Sequence, residues 1–191
     1  MSLKVTFELA DADLDHFRTV MRQARDVARQ LGPDEVLASA EGLLSRIKVT
    51  EVPEFIRDRL ERIRTLTDMV RDAEWKLPEA DTGRVLNALA YFSEPEDLIP
   101  DSVPGLGFLD DAIMVELVVR ELRHEIEAYQ DFCAFRDARD ASARRGEDQV
   151  TREEWLAARR RALQSRMRNR RKRERERRAR SSGTRSPFRL F

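Results

Sequence analysis

The sequence has very little cysteine, and it lacks any long apolar segment. Cys133 is the only cysteine among 191 residues, so the chain has no second thiol for an internal disulfide. Its most apolar run, residues 112–119, is interrupted by Glu116 and is far shorter than the roughly 20 residues that a membrane-spanning helix needs. No charged and then apolar leader opens the chain. We therefore expect a cytoplasmic protein with no transmembrane segment.

The motifs of common enzyme classes are also missing. The sequence contains no glycine-rich phosphate loop, no zinc-ligand spacing and no G-x-S-x-G turn. A nucleophile needs a base within reach, and the one nearby pair, His124 and Cys133, is predicted to lie on opposite faces of a helix. Cys133 continues an apolar stripe and is predicted to be a core residue, whereas His124 is predicted to be exposed. The sequence therefore favours a non-enzymatic protein with no cofactor, and it assigns no catalytic residue.

Charge, in contrast, is abundant and unevenly distributed. Charged residues make up 38% of the chain, against about a quarter in a typical globular protein. Residues 1–142 hold 18 Lys and Arg against 30 Asp and Glu, whereas residues 143–191 hold 18 against 6. The net charge of zero is therefore the sum of a body at −12 and a C-terminal part at +12.

Hydrophobic periodicity predicts an all-α protein built as a compact helical bundle. Apolar residues recur at spacings of three and four, which places them on one face of successive helices. The five predicted helices span about residues 14–31, 33–47, 53–75, 79–92 and 109–133. Alternation of apolar and polar residues over 3–9 predicts a short N-terminal strand or arm instead. The predicted core residues are Leu14, Phe17, Leu60, Ile63, Leu89, Phe92, Leu98, Ile99, Val119, Leu122 and Ile126.

The C-terminal part opens with a helix-start signal. Thr151 and Glu154 have the spacing of a capping box, which predicts a sixth helix from Arg152. Beyond Met167 the arginine-rich run has no apolar stripe, so we expect this basic helix to project from the bundle. The predicted organisation is an acidic helical domain over 1–140, a linker over 141–150, and a basic helix and tail over 151–191.

Residues 91–112, with the sequence YFSEPEDLIPDSVPGLGFLDDA, carry a resemblance to a known family. The segment resembles the signature of the bacterial YkvA-like family, domain of unknown function 1232, over about residues 82–120. The positions that match are Tyr91, Pro95, Asp97, Leu98, Ile99, Pro100, Asp101, Pro104, Gly107, Asp110 and Asp111. Glu94 and Glu96 stand where the family has a serine and an apolar residue. The resemblance implies a helical hairpin bent around the proline-rich turn, and it brings no established activity.

Four aspartates of this segment are the candidate metal ligands. Asp97, Asp101, Asp110 and Asp111 lie in or beside one turn, where their carboxylates have the chemistry of a Mg²⁺ site for a hydrolase or a phosphotransfer enzyme. The alternative, which the residues favour, is that they cap the following helix and anchor the turn. Both interpretations stay open.

The basic run is the strongest functional signal in the sequence. Its cations are suited to neutralising phosphates, and its central part lacks the aromatic side chains that stack on single-stranded bases. This favours structured RNA, ribosomal RNA included, or duplex nucleic acid. The predicted contact residues are Arg159, Arg160, Arg161, Arg166, Arg168, Arg170, Arg171, Lys172, Arg173, Arg175, Arg177, Arg178 and Arg180.

Two other partners remain for the same run. An acidic protein surface is one, and because the body of the chain is itself such a surface, docking of the helix in cis is part of this alternative. An anionic membrane surface is the other, and with no sustained apolar face the helix is expected to adsorb rather than insert.

Overall fold

The computed structural model describes residues 10–28, 30–49, 52–93, 108–143 and 151–180. Helices account for nearly all of these residues, and strands for none, so the predicted all-α class is confirmed. The helices are α1 (Asp11–Ala28), α2 (Pro33–Val49), α3 (Glu54–Leu60), α4 (Arg62–Arg71), α5 (Glu79–Leu89), α6 (Leu109–Glu121), α7 (Arg123–Ala143) and α8 (Arg152–Arg180). A 3₁₀ turn, Ala90–Ser93, extends α5.

Two of the predicted helices are each divided in two. The third predicted helix breaks at Glu61, where ψ is −21°. There the Arg64 N–H donates a hydrogen bond to the Glu61 carbonyl, which is three residues back instead of four. The fifth breaks at Leu122, where φ is −96° and ψ is 14°. Neither position is a proline or a glycine, and the apolar residues keep their helical spacing across both breaks. The sequence therefore predicts one continuous helix in each case. The described residues therefore contain eight helices instead of the predicted six.

One cluster of buried side chains forms the core of the described residues. The predicted core residues Phe17, Leu60, Ile63, Leu89, Phe92 and Leu122 are buried in it. Val119 and Ile126 are partly buried at its edge. The side chain of Leu14, residues Leu98 and Ile99, and the predicted N-terminal strand over 3–9 lie outside the described residues.

The placement of α8 corrects the prediction of a projecting basic helix. α8 packs along α7, and its residues Leu156, Leu163 and Met167 are buried in the same core cluster as α7. The predicted start is confirmed, because the helix begins at Arg152 and the Thr151 hydroxyl accepts a hydrogen bond from the Glu154 N–H at 3.4 Å. Three apolar residues at spacings of seven and four are enough to anchor a helix whose other faces are charged.

Among the described residues, no helix combines the length and the apolar character needed to cross a membrane. The apolar run 112–119 lies in α6, where most of its residues are buried in the core of the bundle.

Candidate functional site

The inward face of α8 docks on the loop between α4 and α5. The Gln164 side chain is buried, and its amide donates hydrogen bonds to the carbonyls of Trp75 and Lys76 at 3.0 and 3.2 Å. The Arg160 guanidinium donates to the Glu74 carbonyl at 2.8 Å. Three successive backbone carbonyls of one loop therefore accept hydrogen bonds from side chains of α8.

Asp72 holds this loop in shape. Its Oδ1 accepts hydrogen bonds from the backbone N–H groups of Glu74 and Trp75 at 2.8 and 2.9 Å, and its Oδ2 accepts from Arg136 at 2.7 Å and from the Tyr129 hydroxyl at 3.2 Å. Burial of the carboxyl opposes ionisation, but these donors outweigh it, and the pKa of Asp72 lies below its ordinary value. An ionised Asp72 thus ties the loop to α7.

Ion pairs extend the docking toward the start of α8. Arg152 pairs with Glu74 and also with Asp140 of α7, the latter at 2.6 Å. Glu74 additionally accepts from Arg136 at 3.1 Å. The hydrogen bond from Arg152, aided by the one from Arg136, holds the pKa of the Glu74 carboxyl below its ordinary value against a small opposing effect of burial. The loop, α7 and α8 share one network of charges here.

Arg171 of α8 pairs with two buried carboxylates of the body. Its guanidinium donates to Asp81 of α5 at 2.6 Å and to Glu125 of α7 at 2.7 Å. Both carboxylates are almost inaccessible, with exposed fractions of 2% and 0%, whereas Arg171 is 20% exposed. Arg84 lies 3.3 Å from the same oxygen of Glu125 and 3.9 Å from Glu121. Removing buried carboxylates from water is costly, and two arginines offset that cost.

His124 belongs to the same interface, which corrects the prediction that it is exposed. It is buried, and its Nε2 lies 2.7 Å from the Glu174 carboxylate of α8. Arg123 pairs with the same carboxylate. Cys133, predicted as a core residue, is partly buried and packs against the core, and burial raises the pKa of its thiol.

The structure divides the 13 predicted contact residues between two faces of α8. Arg160 and Arg171 point into the bundle, and at the edges Arg159 lies over the Phe135 ring at 5.3 Å while Arg170 pairs with Glu127 at 2.7 Å. The side chain of Arg178 lies outside the described residues. The remaining eight are exposed and define the outward face of α8: Arg161, Arg166, Arg168, Lys172, Arg173, Arg175, Arg177 and Arg180.

Two of the four candidate metal ligands lie among the described residues. Asp110 and Asp111 lie in the first turn of α6 and are buried, and Asp97 and Asp101 lie outside the described residues. Phe108, not an aspartate, occupies the N-cap position. In the first turn, carboxylates are favoured by the helix dipole. Within the described part of the chain no group of three or more His, Cys, Asp or Glu side chains is placed to hold a metal ion, so the Mg²⁺ site stays a prediction.

Sequence reasoning missed the inward face because its signal is short and partly polar. Leu156, Leu163 and Met167 are followed on the same face by Arg171 and Glu174, which look like members of a solvated charge run. Their spacing of about 3.6 residues per turn continues the stripe. A helical projection that allows charged residues on a buried stripe would have found these two positions.

Comparison with known proteins places the middle of the chain in a family. A family model described as protein of unknown function (DUF1232) matches residues 84–117, which include most of α5 and of α6. A protein of Bacillus subtilis (strain 168), described as uncharacterized membrane protein YkvA, is 32% identical over 75 residues, 37% of this chain and 71% of that protein. No solved structure matches significantly. The family-model match ends before α7 and α8.

Proposed function

Since the chain belongs to the YkvA-like family of proteins of unknown function (DUF1232), we propose its function from its own geometry: it binds nucleic acid through the outward face of α8. The observation that carries the proposal is the division of charge on this helix. Arg171 on the inward face and Arg170 at its edge are paired with acids of the body, while eight cations of the outward face remain in solvent.

Docking supports the proposal in two ways. It neutralises acids of the body that would repel phosphate, because Glu74, Asp81, Glu125, Glu127 and Asp140 all pair with arginines of α8. It also holds the helix in place before a ligand arrives, which lowers the entropy lost on binding. The outward face is then a preformed cationic surface.

The chemistry of the outward face favours phosphates. Between Arg161 and Arg180 its exposed side chains include no aromatic or large apolar residue, so neither base stacking nor insertion into lipid is available. Contact with the phosphate backbone releases condensed counterions and gives binding that weakens steeply with salt.

Neutralising part of the outward face tests the proposal. We expect Arg161→Gln, Arg168→Gln, Arg173→Gln and Arg177→Gln, combined in one full-length chain, to weaken duplex binding at least tenfold. The negative slope of log K against log salt is expected to become shallower by roughly 3 to 4. Each phosphate contact contributes about −0.9 to that slope, and the variant loses four contacts. Fluorescence anisotropy across a salt series measures both quantities.

A matched control removes four exposed arginines elsewhere. Arg57→Gln, Arg62→Gln, Arg64→Gln and Arg120→Gln make the same change in net charge on α3, α4 and α6, and we expect the salt slope to stay at the wild-type value. If the α8 variant binds like the wild type, or if both variants weaken equally, the outward face is not the binding surface.

Peripheral attachment to an anionic membrane surface is the second candidate, and the description of the Bacillus relative as a membrane protein favours it. Exposed cations near an acidic leaflet each add about 1 kcal/mol of attraction. Co-sedimentation with phosphatidylserine and with phosphatidylcholine vesicles separates the candidates. Binding to phosphatidylserine alone, lost in the α8 variant and accompanied by no nucleic-acid binding, would replace the first candidate with this one.

A further inference from the structure

The outward cations of α8 form two rows instead of a continuous belt. At about 100° per residue, four of them fall within a sector of roughly 60° on one flank, and the other four within a similar sector on the other flank. The first row is Arg161, Arg168, Lys172 and Arg175, and the second is Arg166, Arg173, Arg177 and Arg180. Both rows repeat the same spacing of seven, four and three residues, and each extends about 21 Å along the helix.

A narrow stripe without arginine separates the two rows. Its exposed residues include Ala158, Ser165 and Asn169, and Glu176 continues it, 4.0 Å from Lys172 of the first row. On the helical projection this stripe lies opposite Leu163, Met167 and the other residues of the inward face. All eight cations of the two rows and the residues of the stripe are exposed, so both rows and the stripe are accessible to a ligand.

We propose that α8 enters the major groove of duplex DNA, an inference that rests on the nucleic-acid binding proposed above and names its substrate. A helix with side chains is about 10–12 Å across, and the major groove of B-form DNA is about 12 Å wide. Two rows of cations on opposite flanks of one helix match the two phosphate strands that border this groove. The stripe between the rows then faces the base edges.

The same geometry disfavours an RNA duplex. The major groove of A-form RNA is deep and narrow, and side chains do not read it. A helix carrying cations on both flanks therefore meets only one strand of an RNA duplex at a time, and about half of its phosphate contacts are lost.

Asn169 is the residue placed to read a base. It lies near the middle of the stretch from Arg161 to Arg180 that the two rows cover together. A carboxamide makes a paired donor and acceptor contact with adenine in the major groove. The flanking arginines Arg166, Arg168 and Arg173 fix the height of the helix in the groove without carrying sequence information. Asn169 thus acts as a specificity residue and contributes little to overall affinity.

Selection from a pool of randomised duplex DNA with the full chain tests this assignment. We expect a preference of roughly tenfold for adenine at one position. Asn169→Ala is expected to abolish the preference while changing affinity for the unselected pool less than twofold. Gln130→Ala, which removes an exposed carboxamide from α7, is the matched control and is expected to retain the preference. Duplex RNA of the selected sequence is expected to bind about tenfold more weakly than the DNA.

Two results overturn the inference while leaving the proposed function in place. One is binding to DNA with no base preference, or with a preference that Asn169→Ala retains. The other is equal or tighter binding to the RNA duplex. Absence of binding to either nucleic acid is a distinct result, because it removes the proposed function itself and this inference with it.

Discussion

Arg171→Met is expected to lower the free energy of unfolding by about 3 kcal/mol at neutral pH. The substitution keeps an apolar chain of similar length but leaves the buried carboxylates of Asp81 and Glu125 without their shared partner. Arg84, 3.3 Å from Glu125, still offsets part of the cost and keeps the effect toward the lower end of the range for a broken buried pair. Chemical denaturation followed by circular dichroism measures the change.

The neighbouring residue provides a matched control. Arg170 pairs with Glu127 at 2.7 Å, but the two side chains are 44% and 48% exposed. An exposed pair contributes little, so Arg170→Met is expected to cost less than about 1 kcal/mol. Equal losses of stability in the two variants would contradict the greater burial of the ion pairs that Arg171 makes.

Trp75→Ala is expected to cost about 4 kcal/mol of stability. The indole is fully buried, and its ring centre lies 5.2 Å from that of Phe132 and 5.9 Å from that of Tyr129. Truncation leaves a cavity beneath the loop whose carbonyls hold Gln164, so the loss combines packing with docking. Thermal and chemical denaturation of the variant provide the measurement.

The second tryptophan is the control for this prediction. Trp155 lies in the first turn of α8, is 40% exposed and stacks under Arg139 at 4.6 Å. An exposed cation–π contact contributes about 0.5–1 kcal/mol, so Trp155→Ala is expected to lower stability by no more than about 1 kcal/mol. A loss at Trp155 as large as that at Trp75 would contradict the burial assigned to these two side chains.

The sequence predicts helices well where local chemistry marks them. Pro33 begins α2, and the Thr151 to Glu154 box begins α8, because each residue type satisfies or tolerates the free N–H groups of a first turn. The breaks at Glu61 and Leu122 carry no such marker. Neither residue is a proline or a glycine, so the residue types at these positions do not mark the break.

The sequence shows which residues of the candidate site are cationic, but not which of them face the body and which face solvent. The charge asymmetry singles out the cationic residues of 159–180, and their role as a binding surface stays a prediction. Which of them pair with the body depends on partners 43 to 90 positions away, such as Glu127 for Arg170 and Asp81 for Arg171. Helical periodicity orders the residues around α8, but the side that faces inward is set by the elements it packs against: α7, α5 and the loop between α4 and α5.

Amide hydrogen exchange of the full chain tests the docking of α8 most directly. Residues 156–171 are expected to be protected to a degree comparable with α7, because both helices contribute to one core, while amides near Arg177 and Arg180 exchange faster. Arg171→Met is expected to reduce protection in α8 more than in α2. Exchange throughout α8 at the rate of an isolated helical peptide would contradict the account, because the basic helix would then project from the body.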